Sequence, residues 1–471
     1  MAQRIIVIGG GPGGYAAALR AAQLGASVTL VEKENPSGTC LNWGCIPSKI
    51  MKHTGELYDS MQHATTPGIL LEGALRFDIR MLQSNKEKLL ESQRRAIAAL
   101  LGRAKVKIMI GQARVICPGE VEVTAADGAC WRLTFETLII AAGTVPGALP
   151  DIRFDQQYVL SSNDLLSMDR LPQSLTIAGG GVVGCEFASI FSALGVRVTI
   201  VEALNRLLPL RSVDGSISKL LLREMKKRGI KVYLNTIVHE VRKEDSGVLL
   251  ELAPATGEPE AGEALNSDAL ALCVGRIPCS RDLGLESVGV RRDSSGFIVA
   301  NEKMETTAEG VYAIGDILGP EKLMLAHCAS QEGFVAAANA MGADQTMDYD
   351  NIPTAIFTMP EAASVGLTET EAVRRGFDLV VESVNFRNLG KAQATGTLAG
   401  EAKLIAEKRS GKLLGLHLCG AHATDLIGEA GLAVTQGLRL QDLACTIHPH
   451  PTFSEIFSEV AMKALGHPLH G

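Results

Sequence analysis

A run of branched aliphatic residues leads directly into a cluster of glycines near the start of the chain, in the stretch Ile5-Ile6-Val7-Ile8-Gly9-Gly10-Gly11-Pro12-Gly13-Gly14. An alanine-rich segment follows, so the pattern predicts a buried strand, a tight turn and a helix. Gly9, Gly11 and Gly14 stand in the GxGxxG frame, which permits the turn, close approach of the backbone to a pyrophosphate, and close packing of helix on strand. Glu32 ends the next predicted strand, where its carboxylate can accept hydrogen bonds from ribose hydroxyls. Because the acidic residue stands at the right distance, we predict a dinucleotide-binding domain.

The same pattern returns in the middle of the chain. Gly179, Gly181 and Gly184 repeat the frame behind a predicted strand at 175–178. Glu202 then stands where Glu32 stands in the first copy. The chain is therefore predicted to hold two dinucleotide-binding domains.

Two cysteines lie between these copies, in Gly38-Thr39-Cys40-Leu41-Asn42-Trp43-Gly44-Cys45-Ile46-Pro47-Ser48-Lys49. Two cysteines in a loop are most often a structural bridge or small buried hydrophobic side chains. Here Gly44 permits a bend between the thiols, and Pro47 favours a helix start. Cys45 would then lie at the positive end of a helix, which stabilises a thiolate, and Lys49 adds a cation one turn further on. A dithiol between two nucleotide sites suggests that electrons move from thiols through one cofactor to another.

The composition excludes several classes of protein. The 471 residues suffice for three or four domains, and 46% hydrophobic with 21% charged residues is far from the disordered class. A net charge of −7 gives no electrostatic reason to bind nucleic acid or an anionic membrane. Glycines and Glu186 interrupt the apolar run 175–201, so we expect no membrane span, and we expect no presequence before the first strand. The ten cysteines include no CxxC and no metal-ligand pairing with histidine, which predicts a reducing, cytoplasmic location and no metal site.

The remaining segments are predicted more coarsely. A long helix is expected at about 76–103, and several strands at 108–138. Matching strand and turn segments that contain Gly143 and Gly275 close the two repeats. A further predicted strand and glycine turn ends at Asp316. An aspartate in such a turn is most often only exposed to solvent. From about residue 349, strands alternate with helices.

A histidine near the C-terminus is the second candidate for chemistry. A lone histidine is usually a surface or core residue, but His450 lies between two prolines, which restrict its backbone. It also precedes Glu455. A carboxylate on one ring nitrogen would orient the imidazole and stabilise its cation. His448 is the competing candidate nearby.

Together these segments resemble the pyridine nucleotide-disulfide oxidoreductases over essentially the whole chain, with five motifs in the family's order. The form Cys-Leu-Asn-x-Gly-Cys-Ile-Pro-Ser-Lys at 40–49 is most similar to the members that oxidise dihydrolipoamide. The resemblance of 450–455 to His-Pro-Thr-x-x-Glu selects His450 over His448. The family resemblance implies an α/β fold with two Rossmann-like dinucleotide-binding domains and a C-terminal α+β interface (dimerisation) domain. It divides the chain into an FAD-binding domain (1–148), an NAD-binding domain (149–276), a central domain that completes the FAD site (277–347) and an interface domain (348–471).

The resemblance also implies residues for each cofactor. Those expected at FAD are Gly9, Gly11, Gly14, Glu32, Lys49, Gly143, Asp316, Ala326 and His327. Those expected at NAD are Gly179, Gly181, Gly184, Glu186, Glu202 and Gly275. Lys49 and Glu186 would form an ion pair beside the flavin.

The implied activity is FAD-dependent oxidation of dihydrolipoamide, in the form of protein-bound dihydrolipoyl groups, to lipoamide, with NAD⁺ as the final electron acceptor. His450, oriented by Glu455, would take a proton from the substrate. The substrate thiolate would attack Cys40, the outer thiol, and Cys45 would be released as a thiolate against the flavin. In the implied homodimer, His450 serves the disulfide of the other subunit. The implied partners are lipoyl domains of a 2-oxo acid dehydrogenase or glycine cleavage complex.

The alternative functions are those of related disulfide reductases and of a flavoprotein without catalytic activity. Mercuric reductases usually carry a C-terminal cysteine pair, which 467–471 does not contain, and glutathione reductases typically use NADPH, for which Glu202 has no basic replacement. A catalytically silent flavoprotein, acting as a scaffold or redox sensor, would leave both cysteines, His450 and Glu455 unexplained. Trp43 and Cys328 depart from the family pattern.

Overall fold

The computed structural model describes residues 2–66, 68–70, 72–256 and 262–470. Its helices are α1 (Pro12–Gln23), α2 (Gly38–Trp43), α3 (Cys45–Gln62), α4 (Ile79–Arg103), α5 (Ser162–Ser167), α6 (Val182–Ala193), α7 (Gly215–Lys227), α8 (Ala326–Ala340), α9 (Glu369–Arg374), α10 (Gly390–Thr395), α11 (Ala423–Thr435), α12 (Leu440–Cys445) and α13 (Glu455–Ala464). Its strands are β1 (Arg4–Ile8), β2 (Ser27–Glu32), β3 (Lys107–Ile110), β4 (Gln112–Cys117), β5 (Glu120–Thr124), β6 (Cys130–Thr134), β7 (Thr137–Ile140), β8 (Thr144–Pro146), β9 (Val159–Leu160), β10 (Ser174–Ala178), β11 (Arg197–Val201), β12 (Lys231–Tyr233), β13 (Thr236–Glu244), β14 (Gly247–Pro254), β15 (Ala264–Ser267), β16 (Ala269–Leu272), β17 (Arg276–Pro278), β18 (Val311–Ala313), β19 (Thr354–Ile356), β20 (Glu361–Gly366), β21 (Leu379–Asn385), β22 (Glu401–Glu407) and β23 (Leu413–Gly420).

The first sheet is built from parallel strands in the order β18-β7-β1-β2-β3. Its central strands are continuous runs of aliphatic residues, and all four residues of β7 are buried. That pattern is expected of a parallel sheet covered on both faces. Helices α1 and α8 pack against each other, and their side chains belong to the same core as the sheet. Because β18 comes from residues 311–313, a late part of the chain completes the first sheet.

The second sheet repeats this arrangement, with parallel strands in the order β12-β11-β10-β16-β9. In the first sheet, β1 precedes the glycine turn and lies between β2, which ends in Glu32, and β7. In the second sheet, β10 has the same position between β11, which ends just before Glu202, and β16. The internal repeat in the sequence is thus a repeat of topology.

The two segments that close the repeats also meet in space. Strand β8 pairs antiparallel with β17, so a short ribbon joins the ends of the two dinucleotide-binding units. Two further antiparallel sheets, β4-β5-β6 and β13-β14-β15, are inserted before β7 and before β16. At one end of the ribbon Gly147 donates its N–H to the carbonyl oxygen of Gly275, and at the other end Cys279 donates its N–H to the carbonyl oxygen of Gly143.

The C-terminal part forms an antiparallel sheet in the order β19-β20-β23-β22-β21. Every residue of β23 is buried, because α11 and α13 pack on this sheet and share its core. The predicted α/β fold, with two Rossmann-like units and an α+β C-terminal domain, is confirmed. The domain boundaries at 148, 276 and 347 stay a prediction.

Two local predictions differ from the structure in detail. Helix α3 begins at Cys45, so Pro47 occupies the third helical position, not the first. Its missing N–H is still harmless there, since the first turn of a helix leaves its N–H groups unpaired. Cys40 lies within α2, a short helix that the sequence did not predict. The long helix expected at 76–103 begins at Ile79, because the Asp78 side chain caps it by accepting hydrogen bonds from the N–H groups of Arg80 and Met81.

Within the described residues, no helix is both long and apolar enough to cross a membrane.

Candidate active site

The glycine turn after β1 is fixed by two close backbone approaches. Gly9 has φ +101°, and a Cβ atom there would lie 2.2 Å from the carbonyl oxygen of Ala141. A Cβ at Gly14 would lie 1.8 Å from the carbonyl oxygen of Gly9, so α1 can pack on β1 only if this residue is glycine. At Gly11, by contrast, the nearest atom would be 3.9 Å away. The turn therefore leaves space beside Gly11 and the N-terminus of α1, where backbone N–H groups favour an anion.

The turn after β10 has the same geometry. Gly179 has φ +107°, and a Cβ at Gly184 would lie 1.9 Å from the carbonyl oxygen of Gly179. Around Gly181, the described residues leave more than 4 Å of space. Each glycine of the frame thus has the same physical task in both copies, and both turns are suited to a pyrophosphate.

The two acidic residues are also equivalent, and each fixes its own glycine turn. One carboxylate oxygen of Glu32 accepts the Gly10 N–H at 2.7 Å, and the other accepts the Glu34 N–H at 3.1 Å. Glu202 accepts the N–H groups of Gly180 and Leu204 in the same way. Each oxygen keeps a second lone pair for a ribose hydroxyl. The sequence did not predict these bonds to the turn.

A cavity of about 630 Å³ opens at the first glycine turn. Both redox cysteines line it, and so do several of the residues predicted for FAD, which are Gly9, Gly11, Glu32, Gly143, Asp316 and Ala326. The cavity thus brings together open backbone at a helix N-terminus, an acidic residue at the end of β2 and a dithiol. These features fit a dinucleotide such as FAD, with its pyrophosphate at the turn and its redox-active ring toward the thiols.

A second cavity, of about 870 Å³, opens at the second glycine turn. It is lined by four residues predicted for NAD, namely Gly179, Gly181, Glu202 and Gly275. Gly184 packs α6 onto β10 and does not line it. Glu186 does not line it either, because its carboxylate faces Lys49. Four of the six residues predicted for NAD therefore line the second cavity, where they could contact the adenosine and pyrophosphate of a nucleotide.

The two thiols have different surroundings. Both are free cysteines in the structure, Cys40 in α2 and Cys45 as the first residue of α3. A hydrogen bond from the Cys40 thiol, with further help from the Lys49 ammonium, lowers the pKa of Cys45 to about 7, although burial and Glu186 act against this. The same hydrogen bond, together with burial, raises the pKa of Cys40. Cys45 is therefore the thiol that carries negative charge near neutral pH.

An ion pair stands directly behind Cys45. Lys49 Nζ lies 2.8 Å from Glu186 Oε2, so α3 and α6 are joined by opposite charges. The Glu186 side chain is 11% exposed and that of Lys49 is 29% exposed, so the pair is only partly screened by water. The other oxygen of Glu186 accepts the N–H of Phe357 at 3.0 Å. The charge that stabilises the Cys45 thiolate is therefore held by contacts from outside its own helix.

Asp316 lies in a short 3₁₀ helix, Gly315–Leu318, that follows β18. Burial raises the pKa of Asp316, whereas the nearby Arg276 guanidinium and the Thr144 hydroxyl act to lower it. The Thr144 hydroxyl is 3.2 Å from Asp316 Oδ2 and accepts a 2.6 Å hydrogen bond from Arg276 Nε. Arg276 lines both cavities. No sequence pattern predicted that this arginine lies between the two cavities.

The predicted residues Ala326 and His327 separate in the structure. Ala326 opens α8 at the edge of the first cavity. His327 is exposed, and its ring contacts the carbonyl oxygen of Pro353 at 2.7 Å, away from that cavity. Cys328, the next residue, is buried against Glu332, and burial raises its pKa. His327 therefore does not line the first cavity, and neither do two other residues predicted for FAD, Gly14, which packs α1 onto β1, and Lys49.

His450 and Glu455 form the predicted pair at the other end of the chain. His450 Nδ1 lies 2.8 Å from Glu455 Oε1, and the Thr452 N–H donates to the other carboxylate oxygen. Burial opposes ionisation, but this N–H and the histidine keep the pKa of Glu455 below its ordinary value. The imidazole is 73% exposed and does not line the cavity that contains the two cysteines. Within the described part of the chain only Nδ1 is hydrogen-bonded, so Nε2 can meet a group from another molecule.

His448 has a different environment, although it is only two residues away. Its side chain is 5% exposed, and Nε2 contacts Glu429 at 2.8 Å. The imidazole also packs beside the ring of Phe457. Because both the burial and the carboxylate contact lie within the chain's own fold, His448 is a structural residue of the loop that carries His450.

We predict opposite shifts when the two members of the Lys49–Glu186 pair are neutralised separately. In a Cys40→Ser background, Lys49→Met should raise the pKa of Cys45 by about one unit, and Glu186→Gln should lower it, since the two charges act on the thiolate with opposite sign. The pKa is measured from the pH dependence of iodoacetamide alkylation, followed on the Cys45 peptide by mass spectrometry.

Lys88→Met, on the exposed face of α4, is the matched control and should leave the titration unchanged. A shift of the same sign in both charge variants would contradict this electrostatic account.

Comparison with known proteins agrees with this geometry. Residues 3–333 match the family described as pyridine nucleotide-disulphide oxidoreductase, and residues 352–461 match its dimerisation domain. The chain is 36% identical to dihydrolipoyl dehydrogenase 2, mitochondrial, of Arabidopsis thaliana, over 99% of this chain and 91% of that protein. It is 37% identical to dihydrolipoyl dehydrogenase of Bacillus subtilis, over 99% and 97%.

Solved structures give the same result. LpdA from Mycobacterium tuberculosis superposes with a TM-score of 0.90 at 26% identity, covering 98% of this chain and 99% of that one. The flavoprotein disulfide reductase RclA from Escherichia coli, which is described as HOCl-induced, superposes with a TM-score of 0.84 at 25% identity, covering 97% and 99%. With both family domains matched in order, this chain belongs to the pyridine nucleotide-disulphide oxidoreductase family.

Proposed function

We propose that this protein oxidises dihydrolipoyl groups on a partner protein to lipoyl groups, with FAD as its resident cofactor and NAD⁺ as the final acceptor. The observation that carries the proposal is the position of Cys40 and Cys45 in the cavity of the first glycine turn, with a second nucleotide cavity on the other side of Arg276. Full-length relatives named dihydrolipoyl dehydrogenase support the choice of substrate.

The first cavity offers contacts for each part of FAD. The open backbone at Gly11 and the N-terminus of α1 would take the pyrophosphate, and Glu32 would take ribose hydroxyls. Asp316 would accept a hydrogen bond from a ribityl hydroxyl. When bound, FAD supplies a two-electron acceptor that can be reoxidised by NAD⁺. Gly181, Glu202 and Gly275 would hold NAD⁺ in the second cavity.

The thiol chemistry begins from the oxidised Cys40–Cys45 disulfide. One substrate thiol loses its proton to His450, and the resulting thiolate attacks Cys40, so an S–S bond forms to the substrate while the Cys40–Cys45 bond breaks. Cys45 leaves as a thiolate. The second substrate thiol attacks the sulfur of the first and closes the cyclic lipoyl disulfide, and its proton passes to the Cys40 sulfur, which leaves as a thiol. Two electrons and two protons have then moved from the substrate to the protein.

The structure supports this order of roles through the asymmetry of the thiols. The better leaving group in thiol–disulfide exchange is the sulfur with the lower pKa, and that sulfur is Cys45. Cys40 has the raised pKa and regains a proton. We therefore assign substrate exchange to Cys40, and charge storage beside the flavin to Cys45.

We propose that each active site is shared between the two subunits of a homodimer. The imidazole of His450 is exposed and lies outside the cavity that holds the cysteines of its own chain. The matched dimerisation domain contains His450, Pro451 and Glu455. In a two-fold dimer, the same contact occurs twice, so one pair of subunits would form two composite sites. Apart from Cys40 and Cys45, the other eight of the ten cysteines are unpaired, which supports placing the enzyme in a reducing compartment such as the cytoplasm.

The test of this function is turnover of purified protein with free dihydrolipoamide. We expect NAD⁺ reduction, and a much lower kcat/KM with NADP⁺, because a 2′-phosphate would meet the buried Glu202 carboxylate. Glu202→Ala should narrow the difference. Absence of turnover in FAD-loaded protein would refute the proposed function, whereas equal kcat/KM for the two nucleotides would refute only the role of Glu202.

Subunit mixing tests the shared site. Cys45→Ser and His450→Gln should each be nearly inactive alone. In their heterodimer, one site takes its disulfide from the His450→Gln chain and its histidine from the Cys45→Ser chain, so that site is intact. The other site carries both lesions. Each heterodimer should therefore recover up to about half of the wild-type activity, since separate sites contribute separately to the rate. If each chain used its own histidine, mixing would restore no activity.

A further inference from the structure

Phe357 makes two contacts with the ion pair behind Cys45. Its ring lies under the Lys49 ammonium, with Nζ 4.1 Å from the ring centroid. Its backbone N–H donates to Glu186 Oε1 at 3.0 Å, while Glu186 Oε2 is the oxygen that pairs with Lys49. One residue thus contacts both charges. It lies in the loop that joins β19 and β20, two strands of the antiparallel C-terminal sheet.

The loop that carries Phe357 is itself anchored to α3 and α6. Lys52, one turn beyond Lys49 on α3, is buried and pairs with Glu361 at 2.7 Å. Glu361 also accepts hydrogen bonds from the N–H and hydroxyl of Thr424. On the α6 side, the Met359 N–H donates to the Ser189 hydroxyl at 3.3 Å. The position of the ring is therefore set by contacts independent of Lys49.

The ammonium of Lys49 needs such a contact. Its side chain is flexible and 29% exposed, and the salt bridge to Glu186 alone allows it to swing about the carboxylate. An aromatic ring attracts a cation to its face, within about 6 Å of the centroid. The ring and the carboxylate together define one place for the charge, and that place is close enough to Cys45 to favour the thiolate.

We propose that Phe357 is a positioning residue of the redox centre, whose ring holds the Lys49 ammonium beside Cys45. This rests on the proposed function in one respect, namely that Cys45 is the thiol that carries charge. The remaining groups that act on Cys45 are Cys40 from α2, Glu186 from α6 and Arg276 from β17.

The test is the titration of Cys45 in FAD-loaded Cys40→Ser protein, where the serine hydroxyl can still donate to the Cys45 sulfur. Alkylation of the Cys45 peptide by iodoacetamide is followed against pH. Phe357→Leu should raise the midpoint by roughly half a unit, which is about threefold in the thiolate equilibrium. Phe357→Tyr should keep the midpoint of the parent, because it retains an aromatic face. The backbone N–H to Glu186 is present in all of these variants.

A graded series separates the electrostatics of the ring from its shape. Mono-, di- and trifluorophenylalanine, introduced at position 357 by codon suppression, withdraw charge from the ring face with little change in size. The midpoint should rise with each fluorine. This series also covers the case in which Phe357→Leu does not fold. Phe377→Leu, at an exposed phenylalanine of the same sheet region, is the matched control and should change nothing.

The outcomes distinguish the two proposals. A parent midpoint at the ordinary value of about 8.5 would contradict the assignment of Cys45 as the charged thiol, and with it the proposed function. A low parent midpoint that neither the leucine variant nor fluorination alters would overturn the role of Phe357 alone. An equal shift in Phe377→Leu would also overturn it, because the effect would not be local to the ion pair.

Discussion

The ion pair between Lys49 and Glu186 fixes the relation between the two halves of the redox machinery. Lys49 stands on the helix that begins with Cys45, and Glu186 stands on the helix that begins at the second glycine turn. The pair therefore joins the helix that carries Cys45 to the first helix of the second dinucleotide-binding unit. Breaking only one side of such a partly buried pair would leave a charge in an apolar setting, so both members depend on each other.

The two chemically identical thiols have different pKa values because their surroundings differ. Cys45 lies at a helix N-terminus, near a cation and within reach of the Cys40 thiol, and these groups lower its pKa to about 7. Cys40 donates its proton toward Cys45, and this hydrogen bond together with burial raises its pKa despite the nearby Lys49. The proposed roles, substrate exchange at Cys40 and charge storage at Cys45, thus follow from a difference of environment between two cysteines five positions apart. A silent scaffold would have no use for this difference.

Much of the fold and site could be predicted because the decisive signals are local. Three such signals lie within thirty residues of each other. They are Gly9 with its φ of +101°, Gly14 with no room for a Cβ, and Glu32 at the end of the next strand. Arg276 and Phe357 left no such pattern, since their importance comes from strand pairing and from a loop of a distant sheet. His327 shows the opposite case, in which a motif was present but its side chain turned away from the cavity.

Absorbance tests most directly the proposal that the Cys45 thiolate is held against the flavin. A thiolate in contact with oxidised flavin gives a long-wavelength charge-transfer band, because the thiolate is the form that donates electron density. FAD-loaded Cys40→Ser protein should show this band without added reductant and lose it as the pH falls through the pKa of Cys45. FAD-loaded Cys45→Ser protein should show no band at any pH. A band in Cys45→Ser protein and none in Cys40→Ser protein would contradict the account and reverse the two roles.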